Sequence, residues 1–218
     1  MIALPRLYPI LDAGCFPSTQ GLITAAEELL SGGVSLIQYR NKSGDARVML
    51  EQAHELRRQL RARAPSTLAQ RRSAPHVPKL IMNDRADLCL VAEFDGVHVG
   101  QDDLSPDSVR RIIGPERWLG VSTHNPEQLR TADQTSADYL AIGPVFSTSS
   151  KDRPDPVVGL EGVRRARPLT RKPLVAIGGI TRGNAASVIE AGADSVAVIS
   201  DLLRDPRKSA EEFFRVLR

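Results

Sequence analysis

The chain has few cysteines, few aromatic residues and no long apolar run. Only Cys15 and Cys89 occur among 218 residues, without metal-type spacing, so we expect two free thiols in a reducing compartment. No stretch approaches the roughly 18 apolar residues that span a membrane. The N-terminus lacks a basic flank followed by an apolar run, so no secretory signal is expected. These absences favour a cytoplasmic location and argue against secreted, disulfide-rich and membrane-spanning classes.

The chain also has little excess of charge of either sign. The formal net charge is +3, which hints only weakly at anionic ligands. Much of the excess lies in one segment, where no aromatic residue stands ready to stack on bases, so we expect no nucleic-acid partner. This segment contains Arg57, Arg58, Arg61, Arg63, Arg71 and Arg72. Residues 63–78, with three prolines, predict an extended connection away from any active face.

Short strand-like runs alternate with helix-like segments along the whole chain. This alternation predicts an α/β fold, a (β/α)8 TIM barrel forming a single domain over residues 1–218. A doubly wound open sheet is the alternative, but no Gly-x-Gly-x-x-Gly follows the first strand. The predicted strands are Leu7–Leu11, Val34–Tyr39, Lys79–Met82, Gly96–Val99, Trp118–Val121, Tyr139–Ile142, Leu174–Ile177 and Ser195–Ile199. The predicted helices are Thr19–Ser31, Ala46–Arg61, Arg85–Ala92, Pro106–Ile113, Pro126–Thr131, Leu160–Ala166, Arg182–Ala191 and Ser209–Leu217.

Local signals mark the ends of these helices. Ser105, Asn125 and Thr181 each stand where a capping side chain is expected before a helix. Three similar segments, 32–34, 137–139 and 191–194, each end a helix and begin a strand. They predict tight turns at the end of the barrel where helices lead into strands.

Polar clusters follow the apolar runs, as active-site residues do in barrel enzymes. Residues two apart share one face of a strand, so Gln38, Arg40 and Lys42 are expected to project together after the second strand. Two cations and an amide suit a polyanion, because arginine forks onto phosphate and lysine adds a mobile charge. The alternative for Arg40 and Lys42 is a solvated charge cluster.

Asp84 and Asp103 follow successive strands, which lie about 4.8 Å apart in a parallel sheet. Both carboxylates could therefore approach one ion, and magnesium prefers one or two carboxylates together with water and phosphate oxygens. A helix N-cap is the alternative for Asp84. A loop or capping role is the alternative for Asp103.

A second anion site is predicted on the other side of the barrel mouth. Gly178 and Gly179 follow the seventh strand, and Ile199 and Ser200 follow the eighth, where barrel enzymes commonly bind a phosphate on backbone N–H groups. A simple tight turn is the alternative for the glycines. The segment 148–151 (Thr148, Ser149, Ser150, Lys151) offers hydroxyl groups and a cation in a loop that could close over ligands.

These residues, in this order, resemble the thiamine-phosphate synthase family over nearly the whole chain. The resemblance is carried by Gln38-x-Arg40-x-Lys42, Asn83-Asp84, Gln101-x-Asp103, Ser122, Thr148-x-Ser150-Lys151 and Gly178-Gly179. Ser147 and Ser150 depart from the family's usual proline and threonine, and residues 63–78 form a longer segment than is usual.

The resemblance implies a TIM-barrel transferase that joins 4-amino-2-methyl-5-(diphosphooxymethyl)pyrimidine to a thiazole phosphate. It implies that magnesium is held by Asp84 and Asp103. The pyrimidine diphosphate would be held by Gln38, Arg40, Lys42, Asn83, Ser122 and Lys151, and the thiazole phosphate by Thr148, Ser149, Ser150, Gly179, Ile199 and Ser200. In the dissociative reaction so implied, Arg40, Lys42 and Lys151 would neutralise the departing diphosphate, and no protein nucleophile is required.

Two other functions remain open at this point. A thiazole tautomerase would use a general acid/base in place of a metal, and His124 after the fifth strand is the candidate. A non-catalytic protein of the thiamine pathway would bind the same small molecules without turnover. The sequence does not distinguish a monomer from a homo-oligomer.

Overall fold

Eight parallel strands close into a barrel in the computed structural model, which describes residues 2–62, 78–148 and 155–218. Each strand pairs with the next in the chain, and β8 pairs with β1. The predicted fold class, a TIM barrel, is confirmed. The strands are β1 (Leu7–Asp12), β2 (Leu36–Arg40), β3 (Lys79–Asn83), β4 (Gly96–Val99), β5 (Trp118–Thr123), β6 (Tyr139–Ile142), β7 (Leu174–Ile177) and β8 (Ser195–Val198).

Helices follow the strands and pack around the barrel. Among the described residues they are α1 (Thr19–Ser31), α2 (Ala46–Ala62), α3 (Ala86–Val91), α4 (Pro106–Ile113), α5 (Pro126–Asp133), α6 (Gly159–Ala166), α7 (Ala185–Glu190) and α8 (Pro206–Val216). Ser105 and Asn125 accept hydrogen bonds from Ser108 N and Gln128 N, which confirms both as caps. Most predicted bounds agree with these elements to within two residues.

Three of the differences between predicted and observed bounds have a clear local reason. Thr181 is not a cap, because its N–H donates to Asn184 Oδ1 in a turn and α7 begins only at Ala185. β2 begins at Leu36 rather than Val34, whose N–H still bonds to a carbonyl at the end of α1. α8 begins three residues early, at Pro206, because the Asp205 side chain caps it by accepting from Lys208 N.

Alternation along the strands divides the apolar residues between two cores. One set fills the interior of the barrel and includes Tyr8, Ile10, Leu36, Tyr139 and Val175. The larger set lies between the outer face of the strands and the helices. A strand whose two faces are both buried reads as a continuous apolar run, which is why the strands were recognisable in the sequence.

Three aspartates repeat one arrangement at the end of the barrel where helices lead into strands. Asp95, Asp138 and Asp194 each precede a strand, β4, β6 and β8. Each donates its backbone N–H to a leucine carbonyl of the preceding strand and accepts the N–H of the same leucine on its side chain. The leucines are Leu80, Leu119 and Leu174. This pair of bonds fixes the offset between neighbouring strands.

Two smaller findings concern the classes considered from composition. None of the helices in the described parts of the chain is long and apolar enough to cross a membrane. Both cysteines are free thiols, with Cys15 exposed and Cys89 buried.

Candidate active site at the carboxyl ends of the strands

A pocket of about 470 Å³ opens at the carboxyl ends of the strands. The predicted site residues within the described ranges come together in it, although their roles remain predictions. They are Gln38, Arg40, Lys42, Asn83, Asp84, Asp103, Ser122, Thr148, Gly179, Ile199 and Ser200. Ser149, Ser150 and Lys151 lie outside the described residues, as does most of the arginine- and proline-rich segment.

Arg40 is held in place by an acidic partner that sequence reasoning missed. Its guanidinium forms an ion pair with Asp12 at the end of β1, and both side chains are largely buried. β1 and β2 are paired so that Asp12 lies beside Arg40. The rule that singled out the other residues, an acidic or basic residue at the carboxyl end of a strand, also applies to Asp12 and could have found it.

Lys42, Asp84 and Asp103 form a compact charged group at the pocket rim. Lys42 pairs with Asp84, whose carboxyl also contacts that of Asp103. Burial raises the pKa of the Asp84 carboxyl, the Lys42 charge opposes this shift, and the Asp103 charge adds to it. Asp103 in turn accepts the N–H of Gly100 at 2.7 Å, so the predicted loop role of Asp103 is also present. Two carboxylates are thus held close together.

The backbone at Asp84 has an unusual conformation. Its φ is 61°, in the left-handed region that few residues other than glycine adopt, and its N–H donates to His98 O at 2.8 Å. Such strain often accompanies functional positions. The alternative reading of Asp84 as the cap of α3 is wrong, because Arg85 occupies that position and makes no side-chain cap.

Asn83 carries a polar group that is buried in the described structure without a partner. Its Nδ2 atom finds no hydrogen-bond acceptor among the described residues, although the residue is only 8% exposed. A buried amide donor left unpaired costs about 1–3 kcal/mol. Because Asn83 lines the pocket, an acceptor on a bound ligand would satisfy it.

The glycines after β7 are required by the backbone itself. Gly178 and Gly179 have φ of 100° and 63°, and a Cβ at Gly179 would lie 2.5 Å from Ser147 O. The tight turn considered as an alternative is therefore real. It also brings the main chain to the pocket wall, to which Ile199 and Ser200 after the neighbouring strand β8 also contribute. A turn and an anion site are compatible here.

A chain of hydrogen bonds runs along the floor of the pocket, where Tyr8 and His98 are themselves lining residues, and connects two of the predicted ligand-binding residues. Gln38 Nε2 donates to Tyr8 Oη at 3.0 Å, and the hydroxyls of Tyr8 and Tyr139 lie 2.8 Å apart. Tyr139 Oη lies 3.1 Å from His98 Nδ1, and His98 Nε2 lies 2.8 Å from Ser122 Oγ. Sequence reasoning assigned Tyr8 and Tyr139 no role, since inward-facing strand tyrosines look like core residues.

His124, the candidate acid/base of a tautomerase, also lines the pocket. Its Nδ1 atom lies 2.7 Å from Gly143 O, and its Nε2 atom lies 3.5 Å from an Asp155 carboxylate oxygen. Both ring nitrogens therefore face acceptors of the protein itself. Asp155 is a second pocket residue that sequence reasoning did not single out.

Comparison with known proteins agrees with this geometry. A family model described as thiamine monophosphate synthase matches residues 7–202. A thiamine-phosphate synthase of Koribacter versatilis (strain Ellin345) is 58% identical over 219 residues, which cover 99% of this chain and 97% of that protein. The chain belongs to the thiamine-phosphate synthase family.

Other members of the thiamine-phosphate synthase family are more distant but cover nearly as much. One from Chloroflexus aurantiacus is 43% identical over 89% of this chain and 83% of its own length. The solved structure of a thiamine phosphate pyrophosphorylase from Pyrococcus furiosus has a TM-score of 0.79 and 32% identity, covering 97% of this chain and 95% of that one. The resemblance seen in the sequence is confirmed, and the chain is an enzyme of a transferase family.

Proposed function

We propose that this enzyme joins 4-amino-2-methyl-5-(diphosphooxymethyl)pyrimidine to a thiazole phosphate, forming thiamine phosphate and releasing diphosphate. Support comes from the pocket, where cationic, acidic and phosphate-binding groups line one opening at the carboxyl ends of the strands. The observation that carries the proposal is the rim cluster of Lys42, Asp84 and Asp103, which brings basic and acidic groups together where a metal-bound diphosphate would need both.

The diphosphate would lie against Arg40, Lys42 and Asn83. Arg40 is positioned by Asp12 and can grip phosphate oxygens with its remaining donors. Asn83 supplies the buried donor that lacks an acceptor in the described structure. Lys42 and Lys151 would add mobile positive charge, and Gln38 and Ser122 would contact the pyrimidine ring. Each of these contacts would stabilise the negative charge that develops on the departing diphosphate.

Magnesium fits Asp84 and Asp103. The two carboxyls are neighbours, and the pKa of Asp84 is raised mainly by burial and further by the Asp103 charge, a repulsion that a divalent cation would relieve. No group of three metal-binding side chains converges within the described ranges, whereas magnesium commonly uses one or two carboxylates with waters and phosphate oxygens. Bound there, it would supply charge neutralisation for the departing diphosphate.

The reaction we propose is dissociative. The bond between the pyrimidine methylene carbon and the diphosphate oxygen breaks, and both electrons leave with the diphosphate. The electron-rich aminopyrimidine carries the resulting cation until the thiazole nitrogen donates its lone pair to the methylene carbon. The protein contributes orientation and charge rather than a nucleophile.

The thiazole phosphate would lie on the part of the pocket wall that follows β7 and β8. Gly179, Ile199 and Ser200 bring backbone groups to the pocket there, and Thr148 lies in the same lining. Ser149 and Ser150 belong to this proposed set from the sequence alone. This arrangement would put the two substrates in one opening, as a reaction between them needs. We also propose a cytoplasmic location.

The test is diphosphate release from the two substrates with magnesium, in the wild type and in Asp84→Asn. We expect wild-type turnover, and a loss of at least about 100-fold in kcat for Asp84→Asn, because even outer partners of a metal contribute about 10- to 100-fold. The control is Asp102→Asn, which removes an exposed carboxylate from the same rim and should retain near-normal turnover.

Other results would point elsewhere. Near-normal activity of Asp84→Asn would refute the metal assignment. Metal-independent isomerisation of a thiazole carboxylate phosphate, without diphosphate release, would support the tautomerase and assign the chemistry to His124. Tight binding of both substrates without turnover would indicate the non-catalytic alternative.

A further inference from the structure

The hydrogen-bond chain along the floor of the pocket has a direction. Gln38 Nε2 can only donate, so Tyr8 Oη accepts from it. The Tyr8 and Tyr139 hydroxyls lie within hydrogen-bond distance of each other, and Tyr139 Oη lies within the same distance of His98 Nδ1. For each buried hydroxyl hydrogen to have an acceptor within this series, Tyr8 has to donate to Tyr139 and Tyr139 to His98 Nδ1. A neutral His98 that accepts at Nδ1 carries its proton on Nε2 and donates it to Ser122 Oγ.

This direction determines what both ends of the chain offer a ligand. The nitrogen of the Gln38 amide donates to Tyr8, so its carbonyl oxygen, an acceptor, is the atom available to a ligand in the pocket. Ser122 Oγ accepts from His98 and keeps its hydroxyl hydrogen, a donor, for the pocket. Reversing any one of these bonds would leave a buried hydroxyl or ring nitrogen unpaired unless all reversed together. The two ends are therefore coupled.

The barrel makes room for this chain at one position. His98, Gly120 and Tyr139 lie side by side on β4, β5 and β6. A Cβ at Gly120 would come within 2.4 Å of both His98 Nδ1 and Tyr139 Oη, and within 2.2 Å of Tyr139 Cζ. The two side chains thus meet across the space that the glycine leaves open.

We propose that Tyr8, Tyr139 and His98 are positioning residues that fix this direction, so that Gln38 offers the substrate ring an acceptor and Ser122 offers it a donor. The inference rests on the proposed function, since an aminopyrimidine presents an amino donor beside a ring-nitrogen acceptor. A ring with an oxo group in place of the amino group presents the opposite pattern and should be rejected.

Tyr139 gives the sharpest test because it is completely buried and would not touch a ligand. In Tyr139→Phe, the Tyr8 hydroxyl loses its acceptor and His98 Nδ1 loses its donor. Tyr8 is then free to donate to the Gln38 oxygen instead, which turns the amide nitrogen towards the pocket. His98 is free to take its proton on Nδ1 and to accept from Ser122. Gln38 can then offer the pocket a donor, and Ser122 can offer it an acceptor.

The experiment compares two pyrimidine monophosphates that differ only in a 4-amino or a 4-oxo group. Their Kd values are measured by calorimetry without thiazole phosphate, so that chemistry does not contribute. We expect wild type to prefer the amino compound, and this preference to fall at least about tenfold in Tyr139→Phe, the value of one hydrogen bond. Tyr8→Phe should also lower the preference, but Tyr8 lines the pocket, so Tyr139→Phe is the decisive variant.

Two further variants serve as controls. Tyr39→Phe removes an equally buried hydroxyl, which donates to Gln52 and accepts from Asn41, neither of them part of the Gln38–Ser122 hydrogen-bond series, and should keep the wild-type preference. His98→Gln retains a donor able to reach Ser122 and should preserve more of the preference than His98→Leu. Thermal unfolding of each variant shows that the fold is intact.

The outcomes separate this inference from the proposed function. An unchanged amino preference in folded Tyr139→Phe and Tyr8→Phe would overturn the inference even if wild type turns over normally. A wild-type preference for the oxo compound would show that the chain runs in the other direction and would overturn it as well. Absence of diphosphate release by wild type would instead contradict the proposed function.

Discussion

At the scale of single residues, burial decides the protonation of His98. Desolvation lowers the pKa of its imidazole to about 4, and the more distant Asp103 charge only partly opposes this. Its ring contacts are the Tyr139 and Ser122 hydroxyls, neither of which is charged. The imidazole is therefore neutral wherever the protein is folded near neutral pH.

This burial makes the stability of the fold depend on pH. The unfolded chain takes up a proton near pH 6.5 and the folded chain only near pH 4, so stability is present above 6.5 and is lost as the pH falls through this window. From pH 7 to pH 5, wild type should lose about 2 kcal/mol more than His98→Gln, which cannot titrate there. Urea unfolding at the two pH values measures this.

Comparing wild type with His98→Gln cancels the pH dependence of stability that other titrating groups contribute. The raised pKa of Asp84 acts in the opposite sense, since protonating that carboxyl favours the folded state, but it is present in both proteins. Equal losses for the two proteins between pH 7 and pH 5 would show that His98 is not held neutral.

Residues at the carboxyl ends of strands could be predicted because position alone determines where they face. Gln38, Arg40, Asp84 and Asp103 were found in this way, and they line one pocket. The left-handed backbone of Asp84 and its contact with Asp103 could not be predicted, because they depend on the folded path of two loops. The role of Tyr139 could not be predicted either, since the sequence does not distinguish a tyrosine in a buried strand from an ordinary core residue.

At the scale of elements, the paired bonds of Asp95, Asp138 and Asp194 set the register between strands. Register in a closed barrel has to be consistent around the whole ring, because a shift of one residue would turn every inward side chain outward. Asp138 also pairs with Arg110 at 2.6 Å, so one carboxylate connects α4, β5 and β6. The similar sequence segments at 137–139 and 191–194 predicted these turns but not the bonds.

Replacing Asp138 separates the hydrogen bond from the charge. Asp138→Ala removes the acceptor for Leu119 N and should lower the free energy of unfolding by about 1–3 kcal/mol. Asp138→Asn keeps an acceptor oxygen and should lose less. Urea unfolding measures both, and kcat should change little because the site lies at the opposite end of the barrel. A stability loss that is equal in the two variants would assign the effect to the Arg110 ion pair.

Helix boundaries were less predictable than strands where side chains from other elements intervene. The predicted start of α7 failed because Arg182 is held by distant groups. Its N–H and Nε donate to Asp201, and its guanidinium pairs with Glu212 on α8. These contacts keep residues 181–184 in a turn, and no local pattern in the sequence reveals them.

At the scale of the whole molecule, closure of the barrel gathers residues from every part of the chain into one opening. At this opening, Arg40 forms an ion pair with Asp12, and Lys42 forms one with Asp84. Diphosphate that entered without a metal would have to compete with both carboxylates for these two cationic side chains. A divalent cation entering with it would occupy Asp84 and leave Lys42 for the phosphates.

This balance predicts that magnesium and diphosphate stabilise the protein jointly. With both at about 100 times Kd, the melting temperature should rise by about 5–10 °C, while each alone should have a much smaller effect. Scanning calorimetry measures the shift. Asp84→Asn should show little joint effect. A shift from diphosphate alone as large as the joint one would show that the carboxylates do not need a metal partner.

The overall architecture was the most predictable level, because eight repeats of the same alternation leave few other ways to bury the strands. The distribution of polar clusters over many loops followed from it. What could not be predicted was how these clusters pair with one another, since Asp12 and Asp155 become partners of Arg40 and His124 only through the folded geometry.

Gly120 carries a consequence for how proteins with this architecture can diverge. It bears no functional group, and its only contribution is an empty volume that two larger side chains share. An alanine there would force His98 and Tyr139 apart, although position 120 itself does not line the pocket. Descendants of this barrel could therefore change which ring they accept through one added methyl group behind the pocket, because it would alter what Gln38 and Ser122 present to the substrate without replacing either residue.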